Sequence, residues 1–383
     1  MRLLFVSTEF PPGPGGIGTH AYEIAKHLMK LEWDVIVLTK QENADDNAIR
    51  VFNESQPFHV TTVKSQPFKA LKFLSWLHQT FSLAKSCKPN VLVASGISAI
   101  LIAALVARFY RLPLIVVTHG EFPDAWQLRW MRWSCRQAKA LVCVSEYTRQ
   151  QMNSIGIKSE VTTVIPNGGD PCLFRPLPER EIRDFRSSLG LQKSRLLLTV
   201  GKVSKRKGQD MVIRALPHIL RRVPDTHYFV VGVPACEAEF ADLARQLGVS
   251  EYVHFTGALD SITLVLFLNS CDVFVMLSRH ADNQYEGYGI AVVEAALCGK
   301  PAVVSANSGV RESIVPGVTG LVALEGDVLG AADAVVEFLR NEERLLSFGQ
   351  AARNAALETA TWERRAQSYD DLLRKMVKAW GRT

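Results

Sequence analysis

The stretch "RLLFVSTEFPPGPGGIGTH" (residues 2–20) runs from an apolar segment into Gly13-Pro14-Gly15-Gly16-Ile17-Gly18. In form this is G-x-G-x-x-G after a strand, the pattern that seats a dinucleotide pyrophosphate on a helix N-terminus. Its surroundings depart from that use. Thr8-Glu9-Phe10-Pro11-Pro12 separate strand from glycines, and two prolines impose an extended loop instead of a tight turn. The next apolar run, "DVIVLTK", ends in Thr39-Lys40, where a dinucleotide fold places an acid for the ribose. The loop is therefore suited to a phosphate, and a nicotinamide dinucleotide fits it poorly.

Working outward, apolar runs alternate with amphipathic stretches along the whole chain. Strands are expected at 3–6, 34–39, 59–64, 90–95, 113–119, 140–145 and 161–167, then at 195–201, 227–232, 253–257, 273–277, 301–305 and 320–324. Near-continuous Val/Ile/Leu runs imply strands buried on both faces, hence parallel sheets covered by helices. "GGDPCLFRPLPER" (residues 168–180) is proline-rich and aperiodic and reads as a hinge. The expected architecture is α/β, with two doubly wound Rossmann-like domains facing a cleft. Domain one covers residues 1–175, domain two 176–360, and residues 361–383 form a helix crossing back to the first. In such sheets ligands collect at the carboxyl ends of strands.

With 383 residues, two domains are the natural division. Seven scattered cysteines without a CxxC pair point to reduced thiols and a cytoplasmic protein. No secretory leader is expected, since Arg2 leads straight into an apolar strand. The apolar segment 97–107 is too short to span a bilayer and reads as a buried helix. Residues 1–178 carry 19 Lys+Arg against 13 Asp+Glu, so the net charge of +6 lies entirely in the first half. Between Glu54 and Glu121 no acid occurs, while Lys64, Lys69, Lys72, Lys85, Lys88, Arg108 and Arg111 do. Residues 69–88 mix those lysines with Phe73, Trp76, Leu77, Phe81 and Leu83 at helical spacing. They form either a basic surface for an anionic membrane or an ordinary sheet-covering helix with solvated lysines. Nucleic acid is not an expected partner, because the bias is modest and no binding module is present.

Two strand ends in the second half concentrate chemistry. "VGKVSKRKGQD" places Lys202, Lys205, Arg206 and Lys207 around a turn that opens a helix at Gly208-Gln209-Asp210, an arrangement suited to a diphosphate. "YEGYGIAVVEAALCGKPAVVS" carries Glu286 in a loop, then Gly287 and Gly289, and Glu294 in the second turn of a helix starting near Gly289. The glycines let backbone N–H groups approach a phosphate, and a carboxylate beside such a site suits sugar or ribose hydroxyls. In the first half, His119 ends a buried strand and precedes Gly120. Asn167-Gly168 forms a turn toward the hinge, with a structural role.

"FPPGPGGIGTHAYEIAKHL", "VTHGE", "IPNGGD", "VGKVSKRKGQD" and above all "EGYGIAVVEAALCGKPAVVSANSGVRESIVPGVTGLV" resemble the retaining nucleotide-sugar glycosyltransferases of family 4, which have the GT-B fold. The resemblance spans essentially the whole chain. It is similar to enzymes that extend phosphatidylinositol mannosides and to exopolysaccharide mannosyl- and hexosyltransferases.

The resemblance implies a retaining, metal-independent hexosyltransferase, with mannosyl among the candidate groups. Its donor would be a UDP- or GDP-sugar and its acceptor a lipid-linked or saccharide molecule, in glycolipid or cell-surface polysaccharide synthesis. Glu286 would contact donor-sugar hydroxyls and Glu294 the ribose. Gly289 and Ile290 amides would hold the diphosphate, with Gly15 and Gly16 approaching from the other domain. Lys202 and Lys207 would neutralise the leaving group, Arg206 would help bind the donor, and His119 would bond the transferred sugar. The family usually has Arg where this chain has Lys202, which keeps the charge and loses the bidentate fork. Loop 278–284, which is not a signature of the family, is expected to shape sugar choice, and residues 253–260 are expected to meet the base. No cofactor is expected beyond the donor as substrate, and no metal site is expected. The protein would be cytoplasmic, peripheral on the membrane's cytoplasmic face if the basic half binds lipid. A nucleotide-sugar epimerase, an NAD(P)-dependent oxidoreductase and a non-enzymatic sugar-nucleotide sensor are the alternatives.

Overall fold

Alternating runs become alternating elements. The computed structural model describes residues 1–41, 44–63, 68–281 and 284–381, and holds thirteen strands and fourteen α-helices among them. Two units result, Met1–Asn167 with Trp362–Thr383, and Gly168–Thr361. The first break falls at 167/168, earlier than the expected 175/176. Gly169 already belongs to the second unit, where it donates to the Ala360 carbonyl at 2.9 Å and bridges Thr361.

The first unit is a seven-stranded parallel sheet of β1 (Arg2–Ser7), β2 (Asp34–Thr39), β3 (His59–Thr62), β4 (Val91–Ser95), β5 (Leu114–Thr118), β6 (Ala140–Cys143) and β7 (Val161–Val164). Their order is β3-β2-β1-β4-β5-β6-β7. Its central strands are buried on both faces, as the unbroken runs Leu3–Leu4–Phe5–Val6 and Leu114–Ile115–Val116–Val117 require. Helices α1 (Gly16–Lys30), α2 (Asp46–Glu54), α3 (Lys69–Cys87), α4 (Ile97–Tyr110), α5 (Ala125–Gln137) and α6 (Glu146–Ser154) connect them.

Several strands end sooner than their apolar runs. β7 stops before Pro166, which has no N–H to give the ladder. β6 stops at Cys143 because Ser145 turns away to cap α6, its hydroxyl accepting from Thr148 N at 2.9 Å. The expected end of β3 at Lys64 lies outside the described residues.

The second unit contains α7 (Glu179–Ser188), β8 (Arg195–Val200), α8 (Gln209–Leu220), β9 (Thr226–Val231), α9 (Glu237–Gln246), β10 (Val253–Gly257), α10 (Ser261–Ser270), β11 (Val273–Met276), α11 (Ile290–Leu297), β12 (Ala302–Ser305), β13 (Gly320–Ala323), α12 (Val328–Arg340) and α13 (Glu342–Thr359). Its six parallel strands run β10-β9-β8-β11-β12-β13. The chain then returns to the first unit as α14 (Trp362–Trp380). That helix buries Trp362, Ala366, Tyr369, Leu373 and Met376, a stripe at helical spacing, against α1. Trp33 Nε1 donates to Asp370 Oδ1 at 2.6 Å, and Trp380 Nε1 to the Arg111 carbonyl at 2.8 Å.

Both sheets reverse direction once, between β1 and β4 in the first and between β8 and β11 in the second. Diverging connections at such switch points open a crevice at the strands' carboxyl ends. The candidate residues sit at the carboxyl ends of β1, β5, β8 and β11, with Ile290 and Glu294 in the helix α11 that follows β11.

Candidate active site

In the second unit, β8 ends at Val200 and the chain turns through Gly201 and Lys202 into a short 3₁₀ turn, Lys205–Lys207. Gly208, at φ 75°, then starts α8. Only glycine fits there, since a Cβ would lie 1.9 Å from the Leu277 carbonyl oxygen. The turn is thereby pressed onto the end of β11.

Its cations divide into two groups. Arg206 and Lys207 point inward to one carboxylate. Arg206 Nη1 and Lys207 Nζ both reach Glu286 Oε2, the lysine at 2.9 Å. Lys205 points outward to Glu239 at 2.8 Å. Lys202 is exposed and takes no part in the ion-pair cluster formed by the described residues. The inward guanidinium therefore comes from Arg206, and Lys202 stands apart at the end of β8.

Glu286 is 8% exposed. Burial alone would raise its carboxyl, and Lys207 and Arg206 more than offset this, holding it below the usual carboxylate range. Burial pulls the Lys207 ammonium down, Glu286 opposes that shift, and Arg206 adds to it. The loop carrying Glu286 is fastened by Gly309, whose N–H donates to the Glu286 carbonyl at 2.9 Å. A Cβ on Gly309 would lie 2.0 Å from the Gly287 carbonyl oxygen. Nothing in the sequence pattern singled out Gly309; its necessity comes from a backbone approach between distant segments.

Gly289 caps α11 at φ 92° and Ile290 is the first helical residue, with no acid in the first turn. The helix start thus keeps the positive end of its dipole for an anion. Glu294 lies in the second turn, as its spacing implied, and acts electrostatically on Lys207. In the preceding loop, Arg279 pairs with Asp210 at 2.8 Å and donates its N–H to the Arg206 carbonyl at 2.9 Å. His280 stacks on Tyr285 with centroids 5.6 Å apart. Asp282 and Asn283 of the loop expected to shape sugar choice lie outside the described residues. Asp260, within the segment expected to meet the base, caps α10 by accepting from Ile262 N and Thr263 N.

In the first unit, Gly15 is the N-cap of α1 and Gly16 its first residue. The Glu9 carboxylate lies against Gly15, where Oε2 would be 2.2 Å from an added Cβ. His119 follows β5, and its Nε2 is 2.8 Å from Ser95 Oγ at the end of β4. The ring of His20 meets it edge-on, centroids 4.7 Å apart, and His20 Nε2 is 3.0 Å from the Tyr369 hydroxyl. Burial lowers His119 to about 3. Burial, then the neighbouring His119, holds His20 well below the usual imidazole value. Both rings are neutral at pH 7, so His119 offers a hydrogen bond and no charge. His20 and Tyr369 were not legible as site residues, because one sits mid-helix and the other near the chain's end.

Comparison with known proteins agrees with this geometry. Residues 14–172 match the family model described as Glycosyltransferase Family 4, and residues 181–355 that described as Glycosyl transferases group 1. The chain is 30% identical over 382 residues to a GDP-mannose-dependent alpha-(1-6)-phosphatidylinositol monomannoside mannosyltransferase of Mycolicibacterium smegmatis, covering 97% of this chain and 98% of the other. A glycogen synthase of Mycobacterium tuberculosis is 26% identical, with 95% and 92% covered. Among solved structures, Anabaena HepE in complex with UDP and glucose superposes with a TM-score of 0.84 at 22% identity, covering 98% of this chain and 100% of the other. These matches favour transfer over the epimerase and oxidoreductase readings.

Proposed function

The chain belongs to glycosyltransferase family 4, with the GT-B fold, and from that premise we propose that it transfers a hexosyl unit, mannosyl first among the candidates, from a GDP- or UDP-sugar to a saccharide or lipid-linked acceptor. The carrying observation is the buried Glu286 carboxylate held between Arg206 and Lys207, in the loop that leads into the start of α11.

Breaking the sugar–phosphate bond leaves negative charge on the departing diphosphate. Lys207, Arg206 and the Gly289–Ile290 amides are fixed positive groups that lower the cost of that charge without reorganising. Metal independence follows in this reading from the positive charge the chain itself supplies, and the donor is substrate with no cofactor. Lys202, exposed at the end of β8, supplies further charge, and the Gly15–Gly16 amides stay with the donor phosphates. Glu286 accepts from sugar hydroxyls and Glu294 from the ribose. His119, neutral, bonds the transferred sugar. The acceptor hydroxyl attacks the anomeric carbon from the face the diphosphate leaves, its proton passing to the leaving phosphate oxygen, so configuration is retained.

Acceptor delivery from an anionic, cytoplasmic membrane face is part of the proposal. No helix among the described residues is long and apolar enough to cross a membrane. A surface mode is supported by exposed Phe68, Leu71 and Leu74 at the start of α3, exposed Lys85 and Lys88 at its end, and exposed Arg108, Phe109 and Arg111 at the end of α4.

Thermal shift with GDP-mannose, GDP-glucose, UDP-glucose and UDP, each repeated on Glu294→Ala, tests the donor. A ligand at about a hundred times its dissociation constant stabilises by roughly 2.7 kcal/mol. A shift with one nucleotide sugar, lost in the variant, is expected; no shift with any of them overturns the reading.

A further inference from the structure

The peptide unit joining Ser278 to Arg279, just after β11, is bonded on both sides. Its N–H donates to the Arg206 carbonyl at 2.9 Å, and its C=O accepts from the Ser305 hydroxyl at 2.5 Å. Ser305 Oγ lies 3.2 Å from Ser308 Oγ, and the next residue, Gly309, donates its N–H to the Glu286 carbonyl. One peptide thus leads to the backbone of Arg206 on one side and toward that of Glu286 on the other. The circuit closes where Arg206 Nη1 meets Glu286 Oε2. Ser278 is fully buried, and Ser305 and Ser308 nearly so, which keeps water from competing for these bonds.

The Arg279 side chain fixes that peptide in place. Its Nη2 reaches Oδ2 of Asp210, in the first turn of α8, at 2.8 Å. Asp210 is 6% exposed, and its other oxygen, Oδ1, is buried without a hydrogen-bond partner among the described residues. A buried carboxylate with one bare oxygen is tolerable only while its cation stays in place. Asp210 therefore holds the guanidinium, and the guanidinium holds the 278–279 peptide against the 3₁₀ turn. The ends of that turn have supports of their own. Gly208 is pressed onto Leu277, and the Gln209 side chain accepts from Ser204 N–H and donates to the Lys202 carbonyl, each at 3.2 Å. The pair acts on the residue between them. Arg279 pairs with Asp210, and Glu286 with Arg206 and Lys207, so an effect of Arg279 on the Glu286 carboxylate passes through Arg206.

We propose that Arg279 and Asp210 are positioning residues for the donor sugar: as a pair they set the Arg206 guanidinium on Glu286 and so aim that carboxylate at the sugar hydroxyls. The proposal rests on the transfer reading, in which Glu286 serves the sugar while Lys207 and the α11 amides serve the diphosphate. Loss of the pair then harms the sugar step and spares the nucleotide. A role confined to holding the fold together would lower both alike.

The test uses the full chain with Arg279→Gln, Asp210→Asn, the two combined, and Arg279→Lys. Carboxyl-¹³C labelling of glutamate reads Glu286 directly, its signal identified by its absence in Glu286→Gln. In the unaltered protein that carboxyl titrates below the usual range. Its titration should move upward in the first three variants. It should stay in place in Arg279→Lys, whose ammonium can still make the single contact with Asp210. Turnover should fall by about 10²-fold in the same three, the cost of a misplacement of about 1 Å. GDP and UDP affinity, read by calorimetry, should change far less. The combined variant leaves no buried charge unpaired, so it should be no worse than either single change, and it carries the test where a single change prevents folding. An unmoved Glu286 titration overturns the proposal, and so does loss of nucleotide affinity in step with turnover. If the unaltered chain transfers sugar from none of the donors, the transfer reading falls, while the Glu286 titration still decides whether the pair sets Arg206.

Discussion

His20 in α1 and Tyr369 in α14 meet at 3.0 Å although 349 residues separate them in sequence. The contact makes the last helix part of the first unit's core and places its hydroxyl behind the ring that abuts His119. His20 Nδ1 is buried without a hydrogen-bond partner among the described residues, so Tyr369 is the ring's one polar anchor there. Tyr369→Phe leaves both nitrogens unsatisfied, at a cost of about 1–3 kcal/mol. We expect a lower melting temperature for the first unit, and a fall in kcat larger than any change in donor affinity. Calorimetry and donor titration check both, and an unchanged melting curve would count against the anchor.

Removing α14 by truncation after Thr361 is a harsher form of the same change. It strips cover from His20, Trp33 and the α1 face, and takes away Asp370, which accepts from Trp33 Nε1. The first unit should lose cooperative unfolding while the second, which ends at Thr361, keeps its own transition. Limited proteolysis with mass mapping would separate them: a protected fragment covering 168–361 is expected. Equal protection of residues 1–167 would contradict the role given to the helix.

Glu286 and its two cations form a pre-assembled charge cluster, and its members respond differently to substitution. Lys207→Ala removes the buried ammonium but leaves Arg206 with the carboxylate, so the loss should fall short of the cost of leaving a buried charge unpaired, about 3–5 kcal/mol. Both diphosphate affinity and stability should fall. Glu286→Gln leaves two cations facing each other, so an anionic nucleoside diphosphate should bind at least as tightly as before. Sugar transfer should nevertheless drop by about 10²- to 10³-fold, the range for losing one preorganised group. Calorimetric titration with GDP and UDP, set against turnover, distinguishes the two. Weaker nucleotide binding in Glu286→Gln would mean the carboxylate positions the cations more than it serves the sugar.

Gly309→Ala tests the backbone support beneath that cluster. The added methyl would collide with the Gly287 carbonyl, and the loop holding Glu286 would have to move. Overpacking of this kind costs about 1–3 kcal/mol. The donor-induced thermal shift should shrink far more than the unliganded melting temperature. A variant with unaltered donor response would show that the loop tolerates the displacement.

Strand positions and the start of α11 were legible because they rest on local, periodic signals: apolar runs for β1 to β13, and Gly-x-Gly ahead of "IAVVEAAL". The relation of Glu294 to the helix followed from spacing alone. What could not be read were approaches between distant segments. That Arg206, and not Lys202, supplies the inward guanidinium depends on a 3₁₀ turn of three residues. Gly309 is required by a carbonyl twenty-two positions earlier, and His20 by a tyrosine in the last helix. Asp260, the last residue of the segment expected to meet the base, caps α10, a local role that its place ahead of the helix explains.

The two neutral histidines give a pH dependence with a definite sign. In the native state His119 stays unprotonated down to about 3, whereas its ordinary value is 6.5. Between those values the unfolded chain binds the proton and the native one does not, so stability rises with pH across the window. The contribution is complete above the ordinary value and is lost on acidification, at about 1.4 kcal/mol per pH unit for each such histidine. His20, shifted in the same direction by burial and by His119, steepens the slope. Melting temperatures from pH 4 to 7 should therefore fall toward acid, and His119→Asn should flatten the fall for the first unit. The same variant should reduce transfer at every pH, because a neutral ring donates or accepts one hydrogen bond and does not titrate near neutrality. A bell-shaped activity limb near 6.5 that disappears in His119→Asn would show instead that the ring protonates during turnover.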